Sequence, residues 1–418
     1  MTRIPIRLTL LSVFLLVSFQ AHADGYLTAR AKLVEAYQAG DFAAMQRAAR
    51  ESLDARPDYP GALFNLALAQ TLDGDTTAAL ATLTHVTALK VDLGIDSNAA
   101  FAPLHELDGW QALAAAVATL REPVGSADVA WRGSDGHFVP EGIAVDGDAV
   151  YLGSIRNGSI VRIDNEDSRT VLESGLDSVG SIFGMRLYDD VLFFVTTATE
   201  QLAGDAGFTG SRLCSIELDS PEPVCAELPP RGDARQTLGD FVDIDGLVYA
   251  SDQADGPVYV YDPAKEQWAT VVEKGEFVSP QGLVADASGE HLYVADYRGG
   301  IYRVRLDGYA APEQVEAAAS LYGIDGLYRC GDWLVAVQNG ITPHRVSAHR
   351  LGGDGLTVVE SRILLMNHRD FDEPNLGQVV GDEFYVVANS HWNRFDRENN
   401  LPEGLSGPIV LKLKLPSD

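Results

Sequence analysis

The stretch Phe138–Asp164, FVPEGIAVDGDAVYLGSIRNGSIVRID, limits what this chain can fold into more than any other. Ile143 and Val145 alternate with small or polar neighbours, and a Gly-Asp turn follows. Ala149–Gly153 then reads as a second strand, Arg-Asn-Gly turns the chain again, and Ser159–Ile163 reads as a third. Period-two alternation punctuated by Gly, Asn and Asp predicts an antiparallel meander rather than a helix. One such sheet cannot cover both of its faces, so the unit is expected to recur.

It recurs. Val278–Leu306 reads VSPQGLVADASGEHLYVADYRGGIYRVRL, with Gln281 where the first unit has Glu141. Tyr322–Val337 repeats the first half with Asp325 at that position. Aligning turns and following strands puts Phe183, Asp240 and Asn375 there in three further units. The six positions step by 42, 57, 41, 44 and 50 residues, the length of a four-stranded blade. The fold class predicted is therefore mainly β, a six-bladed β-propeller over residues 127–418. Ala127–Arg132 has strand character and is expected to complete the sixth blade beside the C-terminal VLKLKL, closing the ring with both chain ends.

Residues 24–122 have a different texture, rich in Ala and Leu with helical periodicity. Gly40-Asp41 and Gly74-Asp75 lie 34 residues apart between helical stretches, with Ala67, Ala79 and Leu83 at small and apolar packing positions. That period predicts a tetratricopeptide-like helical domain, either docking a protein partner or capping the propeller. Residues 123–126, Pro-Val-Gly-Ser, read as the linker. Residues 1–23 carry Arg3, Arg7, the apolar run Leu8–Val17 and a small-x-small step at Ala21-His22-Ala23. This is the pattern of a cleaved export signal, so the mature chain is expected to be periplasmic or secreted, with no membrane span left after cleavage.

The net charge is −29, and loss of the two leader arginines takes it to −31. Such a balance repels phosphate backbones and anionic lipid, which argues against nucleic acid as a partner, and it suits a cation site. Of the three cysteines, Cys214 and Cys225 flank a Pro-containing turn between two strands and form the expected disulfide; Cys330 reads as a free thiol within a strand. No Gly-x-Ser-x-Gly, phosphate loop, dinucleotide fingerprint or His-Glu-x-x-His is present.

Residues opening the innermost strands of a propeller converge on one end of its axis. Glu141, Asp240, Gln281, Asp325 and Asn375 would then form a ring of oxygen donors with Phe183 the apolar member, a set suited to a hard divalent cation such as Ca²⁺. At these residues the chain resembles the senescence marker protein (regucalcin)/gluconolactonase/strictosidine-synthase-like superfamily of six-bladed propellers. In regucalcin-like members a Glu opening the first blade, an Asn opening the fourth and an Asp opening the fifth hold a divalent metal. The matching residues are Glu141 in PEG, Gln281 in PQG and Asp325 in IDG, with Asp240 at the register of a nearby third-blade Asn. Gln281 departs from the family's Asn by one methylene.

The resemblance implies metal-dependent hydrolysis of a lactone or ester, with a small, sugar-derived substrate and Asp325 as acid/base. Arg156, Arg298, Asn375 and His391 are the expected substrate-binding residues, drawn from that ring and from loops on the same face. The competing reading is a non-enzymatic periplasmic binding or scaffold protein that uses the propeller face and the helices.

Overall fold

Among the described residues, twenty-four short strands pair into six four-stranded antiparallel sheets. The computed structural model describes residues 21–417 except 165, 166, 219, 221, 233 and 309. The expected leader, apart from its last three residues, lies outside that range. Blade one begins with Pro140–Asp146, blade two with Ser181–Tyr188, blade three with Leu238–Ile244, blade four with Pro280–Ala285, blade five with Ile324–Cys330 and blade six with Gly377–Val380. These six innermost strands contact one another in cyclic order, so they line a common axis. The outer strand of blade six is Asp128–Arg132, which pairs with Ile409–Lys414 from Asp128 opposite Lys412 to Arg132 opposite Ile409. The two chain ends close the ring as the strand pattern predicted, leaving no open edge between first and last blades.

Apolar side chains from facing blades fill the space between sheets. Phe183 and Val195 of blade two, for example, cluster with Phe241 and Val248 of blade three, all buried. At about 1.5–3 kcal/mol per buried large side chain, these layers hold the ring together. Cys214 and Cys225 stand directly opposite each other on neighbouring strands of blade two and are joined as a disulfide. Cys330, outside that disulfide, is half-buried in a strand of blade five.

Before the propeller, α1 (Ala21–Ala39), α2 (Phe42–Ala55), α3 (Pro60–Leu72) and α4 (Thr76–Ala88) stack in sequence. A 3₁₀ turn (Ala99–Leu104) and α5 (Trp110–Leu120) follow. The Asp of each Gly-Asp pair caps the next helix: Asp41 accepts from Ala44 N at 2.8 Å and Asp75 from Ala78 N at 3.2 Å. The helices rest on blades four and five. Tyr322 donates its hydroxyl to Pro57 O at 2.6 Å, and Arg56 Nη1 donates to Arg298 O at 2.7 Å. Among the described residues no helix is long and apolar enough to cross a membrane.

Candidate active site at the propeller mouth

A break in strand pairing aims the site residues. In blade one the register shifts between Pro140 and Ile143, and in blade four between Pro280 and Leu283, so Glu141 and Gln281 sit inside bulges rather than in the ladder. Such a bulge turns a side chain out of the regular alternation and toward the axis. The glycine that follows has its own reason. A Cβ on Gly142 would lie 2.1 Å from Phe183 O, and one on Gly282 would lie 2.3 Å from Leu327 N and 2.8 Å from Asp325 O. Neighbouring innermost strands touch there, which explains the recurrent Glu-Gly and Gln-Gly steps.

The mouth is a cavity of about 580 Å³ lined by Glu141, Phe183, Gln281, Tyr297, Asp325, Asn339, Glu373 and Trp392, with Arg235 at its exposed edge. Glu141, 5 % exposed, accepts on Oε2 from Asn375 Nδ2 at 2.6 Å and from Trp392 Nε1 at 2.5 Å. Asp325 accepts on Oδ2 from Asn339 Nδ2 at 2.6 Å, and Tyr297 donates its hydroxyl to Asn339 Oδ1 at 2.9 Å. Gln281 donates Nε2 to Ser279 Oγ at 2.9 Å, which leaves its carbonyl oxygen for the cavity. Phe183 stacks near Trp392, with ring centroids 6.2 Å apart, and forms the apolar side of the mouth.

The carboxyls here hold protons more tightly than ordinary ones. Burial, then the charge of Asp325, drives Glu141 well above the usual carboxylate range. Burial raises Asp325 to about 7 against the opposing hydrogen bond from Asn339, with Glu373 and Asp240 adding repulsion. Burial also raises Glu373. Two such carboxyls and an amide oxygen lining one cavity fit a hard, oxygen-liganded divalent cation, whose charge would offset both the burial and the repulsion. Among the described residues no three His, Cys, Asp or Glu side chains are grouped to hold a metal.

The other expected site residues are placed differently. Asp240 is 1 % exposed and paired with Arg186 at 3.1 Å, its charge already matched within the protein. Asn375 is fully buried; it donates to Glu141 and accepts from Leu376 N, so it positions Glu141 and does not face the cavity. Arg156 spends Nη1 on Gln201 O and Asn399 O. His391, 2 % exposed, is held by Asp372 at 3.1 Å and by Asn389. Arg298 faces a second cavity of about 460 Å³ between helices and propeller, whose wall at Tyr297 and Asn339 is shared with the mouth. Glu373 escaped the sequence pattern, yet a register signal for it exists. It precedes Pro374-Asn375 as Ser279 precedes Pro280-Gln281, and both line the mouth.

No family model matches the chain, and no curated protein matches it. Solved structures similar to it include the PQQ-bound aldose sugar dehydrogenase of Streptomyces coelicolor, at 13 % identity over 70 % of this chain and 99 % of that one, with a TM-score of 0.47. A putative oxidoreductase (glucose dehydrogenase) of Thermus thermophilus shares 15 % identity over 69 % and 100 % of the two chains, with a TM-score of 0.46. The major Malassezia sympodialis allergen Mala s 1 shares 15 % over 68 % and 95 %, with a TM-score of 0.49.

Proposed function

We propose that the chain is an exported hydrolase that opens a lactone or a related ester at the propeller mouth, with a divalent cation, Ca²⁺ by its ligand chemistry, held by Glu141, Gln281 and Asp325. The observation that carries this is the meeting of those three side chains in one cavity, with two of them carboxyls whose proton affinity is raised. The cation would supply a Lewis acid for the substrate carbonyl and its developing oxyanion.

The chain's own residues do the rest. Asn375 and Trp392 hold Glu141 in place from one side, and Asn339 holds Asp325 from the other. Asp325 takes the proton from an attacking water as its oxygen bonds to the acyl carbon, then returns it to the alkoxide as the acyl C–O bond breaks. The product is a hydroxy acid. Phe183 and Trp392 offer an apolar wall to the ring of the substrate, and Tyr297 and Gln281 offer polar contacts to its oxygens. Export is supported by the leader pattern and by the Cys214–Cys225 disulfide, since such bonds persist in oxidising compartments.

A lactone-hydrolysis screen with Ca²⁺ and with chelator tests the proposal. Chelator-sensitive turnover lost in Asp325→Ala supports it; absence of turnover across lactones and aryl esters in the cation-loaded protein rejects it. A second reading, partner docking by the helices, is favoured by Leu27, Val34 and Tyr37, which stay about half exposed along α1. Tyr37→Glu would abolish such docking without altering turnover.

A further inference from the structure

Arg345 begins a strand of blade five (Arg345–Leu351) and is 3 % exposed. Burying a charge is costly unless a counter-charge or a full set of hydrogen bonds meets it. Among the described residues no carboxylate pairs with Arg345, although the chain has 60 Asp and Glu to draw on. Burial alone pushes its pKa down to about 10. Its Nε donates to Pro343 O at 3.0 Å and its Nη2 to Lys90 O at 2.6 Å, just past the C-terminal end of α4. These carbonyls solvate the guanidinium without neutralising it. Nη1 is neither hydrogen-bonded nor occluded, and Arg345 lines a cavity of about 490 Å³ between α4 and blade five.

A second group in that wall is also unpartnered. Ser320 is 6 % exposed and its hydroxyl is buried with no hydrogen bond. Rotation about one side-chain bond, between staggered wells, is what turns a serine hydroxyl toward an adjoining space. Lys90, at the rim, is exposed to solvent, and the buried polar side chains described next are satisfied. His349 bridges Ser347 and Ser361 at 2.9 Å each, and Ser347 donates to Gln338. Glu360, the carboxylate in the wall, is bound by Arg350 at 2.9 Å and Arg362 at 2.7 Å. The rest of the lining includes the apolar Leu89, Val358 and Ile363.

We propose that this cavity binds a small organic carboxylate with a short aliphatic tail. The carboxylate meets Arg345 Nη1 and the Ser320 hydroxyl, and the tail lies against Leu89, Val358 and Ile363. A carboxylate has an acceptor oxygen for each of the two unused buried donors and one negative charge for the one buried cation without a counter-charge. Phosphate would bring more charge and more acceptors than the two buried donors, Arg345 Nη1 and the Ser320 hydroxyl, can meet. The cavity shares no lining residue with the propeller mouth, so the proposal stands apart from the hydrolase reading.

Calorimetric titration of the whole chain with butyrate, n-butanol and inorganic phosphate tests it. Saturable binding of butyrate, with neither butanol nor phosphate competing, is expected. Ser320→Ala should weaken butyrate several-fold, and Arg345→Met about tenfold or more, the loss of one charged hydrogen bond. Arg345→Met also removes the contact to Lys90; if that variant does not fold, Ser320→Ala, which keeps the guanidinium, decides alone. No saturable butyrate binding, equal binding by Ser320→Ala, or tighter binding of butanol or phosphate would overturn the assignment.

Discussion

Asn339 donates Nδ2 to Oδ2 of Asp325 at 2.6 Å, the one hydrogen bond that eases ionisation of a carboxyl otherwise driven toward neutrality. The amide is oriented from behind, since Tyr297 donates to its Oδ1 at 2.9 Å. Removing the donor leaves burial and the neighbouring charges unopposed. In Asn339→Leu the Asp325 pKa should therefore climb above its value of about 7, by roughly one unit for a charged hydrogen bond. A proton acceptor must be ionised to act, so the acid limb of the hydrolysis pH profile should move to higher pH by that amount. A limb that stays in place would remove Asp325 from the acid/base role.

The Arg186–Asp240 pair crosses from blade two to blade three, with Asp240 sealed from water and Arg186 mostly buried, and Arg186 also lies 5.6 Å from the Phe241 ring centroid. Asp240→Ala leaves a buried guanidinium without its counter-charge, which should cost about 3–5 kcal/mol in urea unfolding. Replacing both partners by Leu should recover much of that loss. Cation affinity of the properly folded Asp240→Asn protein should change far less than that of Asp325→Asn, because this carboxyl is paired with Arg186 and acts on Asp325 only through its charge.

Why the two aspartates, indistinguishable in the repeat, take different roles is a matter of long-range pairing. The repeat set the blade count, the closure of the ring by Asp128–Arg132, and the positions from which side chains reach the axis, because each follows from local alternation and turn chemistry. Arg186 lies on another blade, and nothing in local periodicity connects it to Asp240. The expected substrate residues were turn residues, and turns consume polar side chains. Arg156 satisfies carbonyls of Gln201 and Asn399, and His391 is locked between Asp372 and Asn389. Tyr297 and Asn339 reach the mouth through loop shape, which a repeat alignment does not encode, whereas Glu373 holds the same repeat position as Ser279.

The Cys214–Cys225 bond closes a short loop in blade two across directly opposed positions. Cys225→Ser should lower stability by about 2–3 kcal/mol, chiefly by freeing the unfolded chain, and leave turnover at the mouth intact. Denaturant midpoints of the parent with and without reductant, compared with the variant, check this. Equal midpoints would mean that the bond adds nothing to the stability of blade two.

The linked behaviour of proton and cation gives the most demanding prediction. Asp325 binds its proton up to about pH 7 in the folded protein, but only up to the ordinary carboxylate value near 4 when unfolded. Between those limits the folded state holds more protons than the unfolded one. Stability of the cation-free protein should therefore fall as pH rises from about 4 to about 7, and level off above. Glu141 and Glu373, shifted in the same direction, steepen the decline. A cation at Glu141, Gln281 and Asp325 would displace the protons, so Ca²⁺ affinity should rise with pH over the same window. At pH 8 added Ca²⁺ should restore the lost stability, by about 2.7 kcal/mol at a hundredfold excess over its dissociation constant, and chelator should reverse it. At pH 5 the same addition should do far less. Asp325→Asn removes both the repulsion and a cation ligand, so its melting temperature should vary less with pH and ignore Ca²⁺. Melting curves of parent and variant across pH 5–8, with Ca²⁺ or chelator, read all four outcomes. A parent protein whose Ca²⁺ response is the same at pH 5 as at pH 8 would show that the ion binds elsewhere than at these protonated carboxyls.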